Sequence, residues 1–127
     1  VTLSARNTND VAAIAHVVGP TVADPATWIH HASAVLMLEC DGDPVGVVLL
    51  VDGALPSIHL HVMPHHRGRI VFQFLPVIRD WLLTFRPRWQ NVWTWVADAA
   101  HERFARRCGF VPAFATDGCR HLFHPLH

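Results

Sequence analysis

The sequence predicts an α+β protein: one central mixed sheet of six to seven strands with helices on both faces. Two observations carry this. Short β-rich runs with turn residues between them open and close the chain, whereas two amphipathic helical patterns interrupt its middle and later part. The first strands are joined by a tight turn and so run antiparallel, while later strands are separated by helix-length segments that suit parallel crossovers. At 127 residues the chain is expected to be one domain (1–127), able to bury a core without disulfide or metal.

Taken in order, Val1 to Ala5 is the first strand. Asn9 or Asp10 caps a helix with Val11, Ile14, Ala15 and Val18 on one face, ended by Gly19-Pro20. Asp24-Pro25 starts a second short helix through Trp28 and Ile29. Ala34 to Cys40 and Val45 to Val51 form a hairpin about Asp41-Gly42-Asp43-Pro44, and the second run, apolar on both faces, reads as a central strand. Ser57 to Met63 is the next strand. Beyond it Val71, Phe74, Leu75, Ile78, Leu82 and Phe85 keep helical spacing, with Pro76 set to kink the helix or delay its regular part, and Arg86-Pro87 to stop it. Asn91 to Ala97 puts Trp93 and Trp95 on one face. Asp98 caps a helix over Ala99 to Cys108 that ends at Gly109, and Phe110 to Phe114 and Cys119 to Phe123 close the chain around Thr116-Asp117-Gly118.

Composition narrows the function. Net charge is zero, which disfavours a nucleic-acid binder, and the apolar run Val45 to Val51 is far too short to span a bilayer. With no charged-then-apolar leader in view, a soluble cytoplasmic protein is expected. Three cysteines without paired spacing suit reduced thiols. Charge is unevenly placed: residues 1–66 hold one Arg against six carboxylates, net −5, and residues 67–127 hold nine Arg against four, net +5. A polyanionic ligand and a scatter of Arg over a solvated surface both account for that asymmetry.

The stretch from His59 to Leu75 concentrates the chemistry. A strand, a proline, a basic Arg67-Gly68-Arg69 turn and a helix make a strand-loop-helix whose unpaired N–H groups and positive dipole end can receive an anion. His59 and His61 alternate onto one face of the strand, opposite Leu60 and Val62. Imidazoles there serve either as a general base or as a hydrogen-bonded pair lining a cleft. Eleven His raise a metal hypothesis, but HExxH, C-x-x-C and zinc-finger spacings are all missing, so no metal is expected.

The element order, with three local signatures, resembles the GNAT N-acetyltransferase superfamily over almost the whole chain. The signatures are Val62-Met63-Pro64-His65-His66-Arg67-Gly68-Arg69, the strand Asn91 to Ala97 leading into Asp98, and Arg107-Cys108-Gly109-Phe110. The resemblance implies acetyl-CoA as acyl donor and direct transfer to an amine. It places the cofactor phosphates on Arg67, Gly68, Arg69, Ile70, Val71, Phe72 and Gln73, and the pantetheine arm along Leu60, His61 and Val62. Asp98 joins these by position, where the family commonly has Asn. Ile70 and Phe72 stand where the family pattern has small residues, and Ala105 stands where it has the Tyr that protonates the departing thiolate. The sequence has no Tyr, so His101, one turn earlier, is the substitute acid, with an exposed surface His as the plain alternative. His59 or His61 is the expected base.

Small phage-encoded GNAT-like proteins are similar in having a glycine-poor "R-G" helix with a Trp further along, here Trp81; host cytoplasm would then be the location. The expected partners are a small-molecule or protein amine and, as an oligomer, a second copy of the chain; neither nucleic acid nor membrane is expected. The rival reading is a GNAT fold without catalysis, with a binding or structural, phage-related role.

Overall fold

The computed structural model describes residues 2–19, 25–63 and 72–126. Its elements run β1 (Leu3–Asn7), α1 (Val11–Val18), α2 (Pro25–His30), β2 (Ala34–Cys40), β3 (Asp43–Val51), β4 (Ser57–Val62), α3 (Leu75–Leu83), β5 (Asn91–Val96), α4 (Ala99–Arg107), β6 (Val111–Thr116) and β7 (Cys119–Pro125). The strands form one mixed sheet of order β1-β2-β3-β4-β5-β7-β6, in which, among the described residues, only the β4–β5 pairing is parallel. The predicted fold class is the observed one.

Side-chain alternation sorts the core into two layers. Val35, Met37, Val47 and Leu49 face α1 and α2 with Ile14, Val17, Val18 and Ile29. Leu36, Leu38, Val48, Leu50, Ile58 and Val92 face the other way, onto Phe74, Ile78, Trp81 and Leu82 of the α3 segment. β3 is buried from Val45 to Leu50, as its two-sided apolar pattern predicted.

Several boundaries differ from expectation for local reasons. β1 starts at Leu3 because it pairs antiparallel with β2 from Leu3↔Cys40 to Asn7↔Leu36; Val1, Pro20 and Asp24 lie outside the described residues. Both hairpin turns use only two residues. Asp41 and Gly42, and Asp117 and Gly118, all have positive φ, the geometry whose twist matches that of paired strands, so the strands run right up to the turns. The predicted α1 stripe is rotated: Asp10 caps the helix through the Ala13 N–H, and Ile14, Val17 and Val18 are buried while Val11, at the first helical position, is 51% exposed. Of the two effects expected of Pro76, the delay is the observed one: helical Phe72 and Gln73 give way to a turn at Phe74, the regular helix begins at Leu75, and Pro76 sits in its first turn, where a missing N–H is tolerated. The Trp81 Nε1–H then donates to Asn7 Oδ1 at 2.8 Å, tying α3 to the edge strand β1.

Candidate active site

The site is built from a parting of the sheet. β4 and β5 share a single registered pair, Ser57↔Trp93, supported by the Trp93 N–H donating to the Pro56 carbonyl at 2.8 Å. Beyond that rung the two strands diverge. The Met63 N–H donates to the Val45 carbonyl on β3, so alternation along β4 turns the backbone groups of Leu60 and Val62 the other way, toward the gap. Gly46, opposite Val62, makes the close fit of β3 to this end of β4 possible: a Cβ there would lie 2.7 Å from the His61 carbonyl oxygen.

The gap widens into a cavity of about 1060 Å³, walled by β4, β5, α3 and α4. Phe72, just before α3, packs against Phe104 of α4 with ring centroids 5.3 Å apart, and the Arg107 guanidinium lies 4.3 Å over the Phe72 ring. The large side chain at position 72 thus joins the two helices at the cavity wall. Ala105 is buried and lines the cavity, as do His101 and Cys108. Burial pushes the Cys108 thiol up to about 11 against the opposing charge of Arg107, so it is a protonated thiol at neutral pH. Gly109 closes α4 at φ +99°, and a Cβ on it would lie 3.0 Å from Nε2 of His124.

His59 and His61 share the α1 side of the sheet, opposite Leu60 and Val62, as their spacing predicted. His59 Nε2 is 3.1 Å from the Ser57 hydroxyl oxygen, and its ring meets Trp95 of β5 in a T-shaped contact at 4.8 Å, bridging the gap. Burial first, and then the charge of His61, lower the His59 pKa to about 4; burial also lowers that of His61. Both are therefore neutral at pH 7 with a ring nitrogen able to accept a proton, but His59 is a weaker base than its unperturbed value of 6.5 promised.

His101 is exposed, and its Nδ1 lies 2.5 Å from Asp98 Oδ2. Asp98 Oδ1 also accepts the His101 N–H, the N-cap bond that starts α4, and these His101 contacts hold its carboxyl below the usual carboxylate range. Asp98 thus acts on α4 and His101 directly. Leu60 and Val62 line the cavity, Phe72 contributes its ring, and Gln73 is exposed; Arg67, Gly68, Arg69, Ile70 and Val71 lie outside the described residues. Among the described residues no group of three or more His, Cys, Asp or Glu is placed to hold a metal. Trp95, Phe104 and Arg107 were not legible as site residues, because their contacts join positions far apart in the chain that no local spacing connects.

No protein-family model and no curated protein matches the sequence. Solved structures do. The ribosomal-protein-S18-alanine N-acetyltransferase of Escherichia coli is similar at 18% identity and a TM-score of 0.74, covering 98% of this chain and 93% of its own. A GNAT family acetyltransferase from Elizabethkingia anophelis with acetyl-CoA bound is similar at 8% identity and 0.73, over 97% of both chains. N-acetylglutamate synthase of Neisseria gonorrhoeae, complexed with coenzyme A and N-acetyl-glutamate, is similar at 21% and 0.72 over all of this chain, which spans 36% of that longer one. With the parted sheet, the order of its strands and these similarities together, the chain has the fold of the GNAT acetyltransferases.

Proposed function

We propose that the chain is an acetyl-CoA-dependent N-acetyltransferase that works by direct transfer to an amine. The observation that carries this is the unpaired edge of β4. Leu60 and Val62 turn backbone donors and acceptors into a cavity of about 1060 Å³, a surface that an extended amide-bearing chain can pair with as an added strand. The pantetheine arm of acetyl-CoA is such a chain, so the residues present fit it. When bound, acetyl-CoA supplies the thioester carbonyl that an amine attacks.

The chain's own residues then divide the work. The Val62 N–H, turned into the gap, would stabilise negative charge on a thioester carbonyl oxygen held there. His61 or His59, neutral and facing the α1 side, accepts the proton the amine loses, directly or through water. The depressed pKa of His59 makes His61 the better candidate. His101, its Nδ1–H held by Asp98, would protonate the leaving thiolate from Nε2 when the ring carries a second proton there, and return to the neutral ring. The phosphates are assigned to Arg67 through Gln73, of which Arg67 to Val71 lie outside the described residues.

A thermal-shift titration with acetyl-CoA and CoA tests this. Ligand at a hundred times its dissociation constant stabilises the native state by about 2.7 kcal/mol, a clear rise in Tm. No shift at millimolar cofactor would rule the reading out and leave a noncatalytic role for the fold. Given binding, Arg67→Ala should weaken it, and His61→Gln should slow thiol release while binding persists.

A further inference from the structure

On β5, β7 and β6 the sheet face that α1 and α2 cover elsewhere carries an apron of rings. Trp93 and Trp95 of β5 stand opposite Phe123 and His121 of β7, and Phe114 of β6 stands opposite His121. The rings touch in sequence. Phe114 stacks on His121 at 4.5 Å and 16°, Trp93 lies 5.8 Å from Phe114 and 5.5 Å from Phe123, and Trp95 lies 6.3 Å from His121. Thr116 Oγ1, 2.8 Å from Nε2 of His121, fixes that ring.

Despite these contacts Trp95 is 49% and Phe114 42% exposed, and neighbouring Val111 is 46% exposed. Exposed apolar side chains that are contiguous, rather than scattered singly, are the kind that mark a binding surface. No position on the apron bears a fixed charge. The charges of these strands lie on the opposite face, where Arg120 pairs with Glu102 of α4 at 3.2 Å.

What covers the apron follows from where it leads. Trp95 belongs both to the apron and to the cavity wall, and it touches His59 on the side from which an amine would reach the gap. The rings are therefore one continuous surface from the open sheet to the reacting position. Among the described residues this face carries no carboxylate or guanidinium to hold a charged acceptor by its substituents, and ring faces and edges make up most of it.

We infer that the acceptor is an amine carrying a flat aromatic ring, which lies on Trp95 and Phe114 while its nitrogen enters the gap beside His59; this rests on the acetyltransferase reading. The neutral state of His59 fits this, since an uncharged imidazole does not repel an ammonium.

Calorimetric titration of the protein with 2-phenylethylamine, 2-cyclohexylethylamine and hexylamine, without cofactor, tests the inference, followed by thiol-release kinetics with acetyl-CoA. The aromatic amine should bind roughly 3- to 10-fold more tightly than its saturated counterpart, with a matching difference in KM, and Trp95→Ala or the milder Phe114→Leu should abolish the preference. Equal affinity for the two ring types, a preference unchanged in both variants, or no binding of any of the three would overturn it. A ring preference without acetyl transfer would keep the aromatic site and remove the catalytic reading; transfer without a ring preference would do the reverse.

Discussion

Asp98 and His101 are joined twice: one carboxylate oxygen accepts the His101 N–H at 2.8 Å and the other lies 2.5 Å from its Nδ1. One side chain thus both starts α4 and orients an imidazole at the cavity rim. Because these bonds favour the ionised carboxyl, the native state holds Asp98 charged at pH values where the unfolded chain has begun to protonate it. Its contribution is complete above the ordinary carboxylate range and is lost as pH falls through its lowered native value. Asp98→Asn, which preserves the cap, should flatten the acid limb of a Tm-against-pH curve by lowering Tm at pH 7 while leaving it little changed at low pH.

His59 acts in a higher window. Its native pKa of about 4 lies below the unperturbed 6.5, so the unfolded chain takes up a proton first as pH falls. Stability should therefore decline from about pH 6.5 and level off near 4, by about 3 kcal/mol at most if the full shift is expressed. His61, lowered by burial, adds in the same direction. Urea unfolding across this range checks it, and His59→Gln should remove part of the slope.

The same neutrality shapes the kinetics of the proposed reaction. With His59 lowered to about 4 and His61 also held below 6.5 by burial, any rise of kcat/KM between pH 7 and 9 should follow deprotonation of the amine acceptor and move with the acceptor's pKa. A rise that keeps one midpoint near 6.5 with every acceptor would show that an unperturbed His governs the step.

Gly46 offers a test of how β4 is held. Its missing Cβ spares a 2.7 Å clash with the His61 carbonyl oxygen and a 3.4 Å approach to Val62 Cα. Gly46→Ala should cost about 2 kcal/mol in unfolding experiments, since backbone must move to admit the methyl. It should also diminish the thermal shift given by CoA, because the backbone that moves is the edge proposed to pair with the ligand.

The bond from Trp81 Nε1 to Asn7 Oδ1 anchors α3 across 74 positions of sequence. A double-mutant cycle with Trp81→Phe and Asn7→Ala should give a coupling energy of about 1 kcal/mol, the ordinary net worth of one such bond.

Much of the fold could be read from local pattern. The Asp-Gly pairs fixed both hairpins, the two-sided apolar run identified β3 as central, and Asp10 and Asp98 marked two helix starts, because each depends on residues close in sequence. The α1 stripe was misjudged by part of a turn, since which residues of a two-turn helix are buried is decided by the sheet beneath it. At the site, strand alternation sufficed to separate His59 and His61 from Leu60 and Val62. It could not supply the depressed pKa values, which come from burial, nor the meeting of Phe72 with Phe104 and Arg107, which comes from how two helices lie against each other.

The lone rung between Ser57 and Trp93 also bears on cooperativity. β1 to β4 and β5 to β7 each have full antiparallel ladders of their own, while the seam between them offers little backbone bonding to resist separate opening. Side-chain packing rather than backbone pairing therefore joins the two ladders: Val92 and Leu126 share one core with Leu36, Val48, Leu50 and Ile58, so cooperativity across the seam should depend on that core and rise when a ligand pairs along β4.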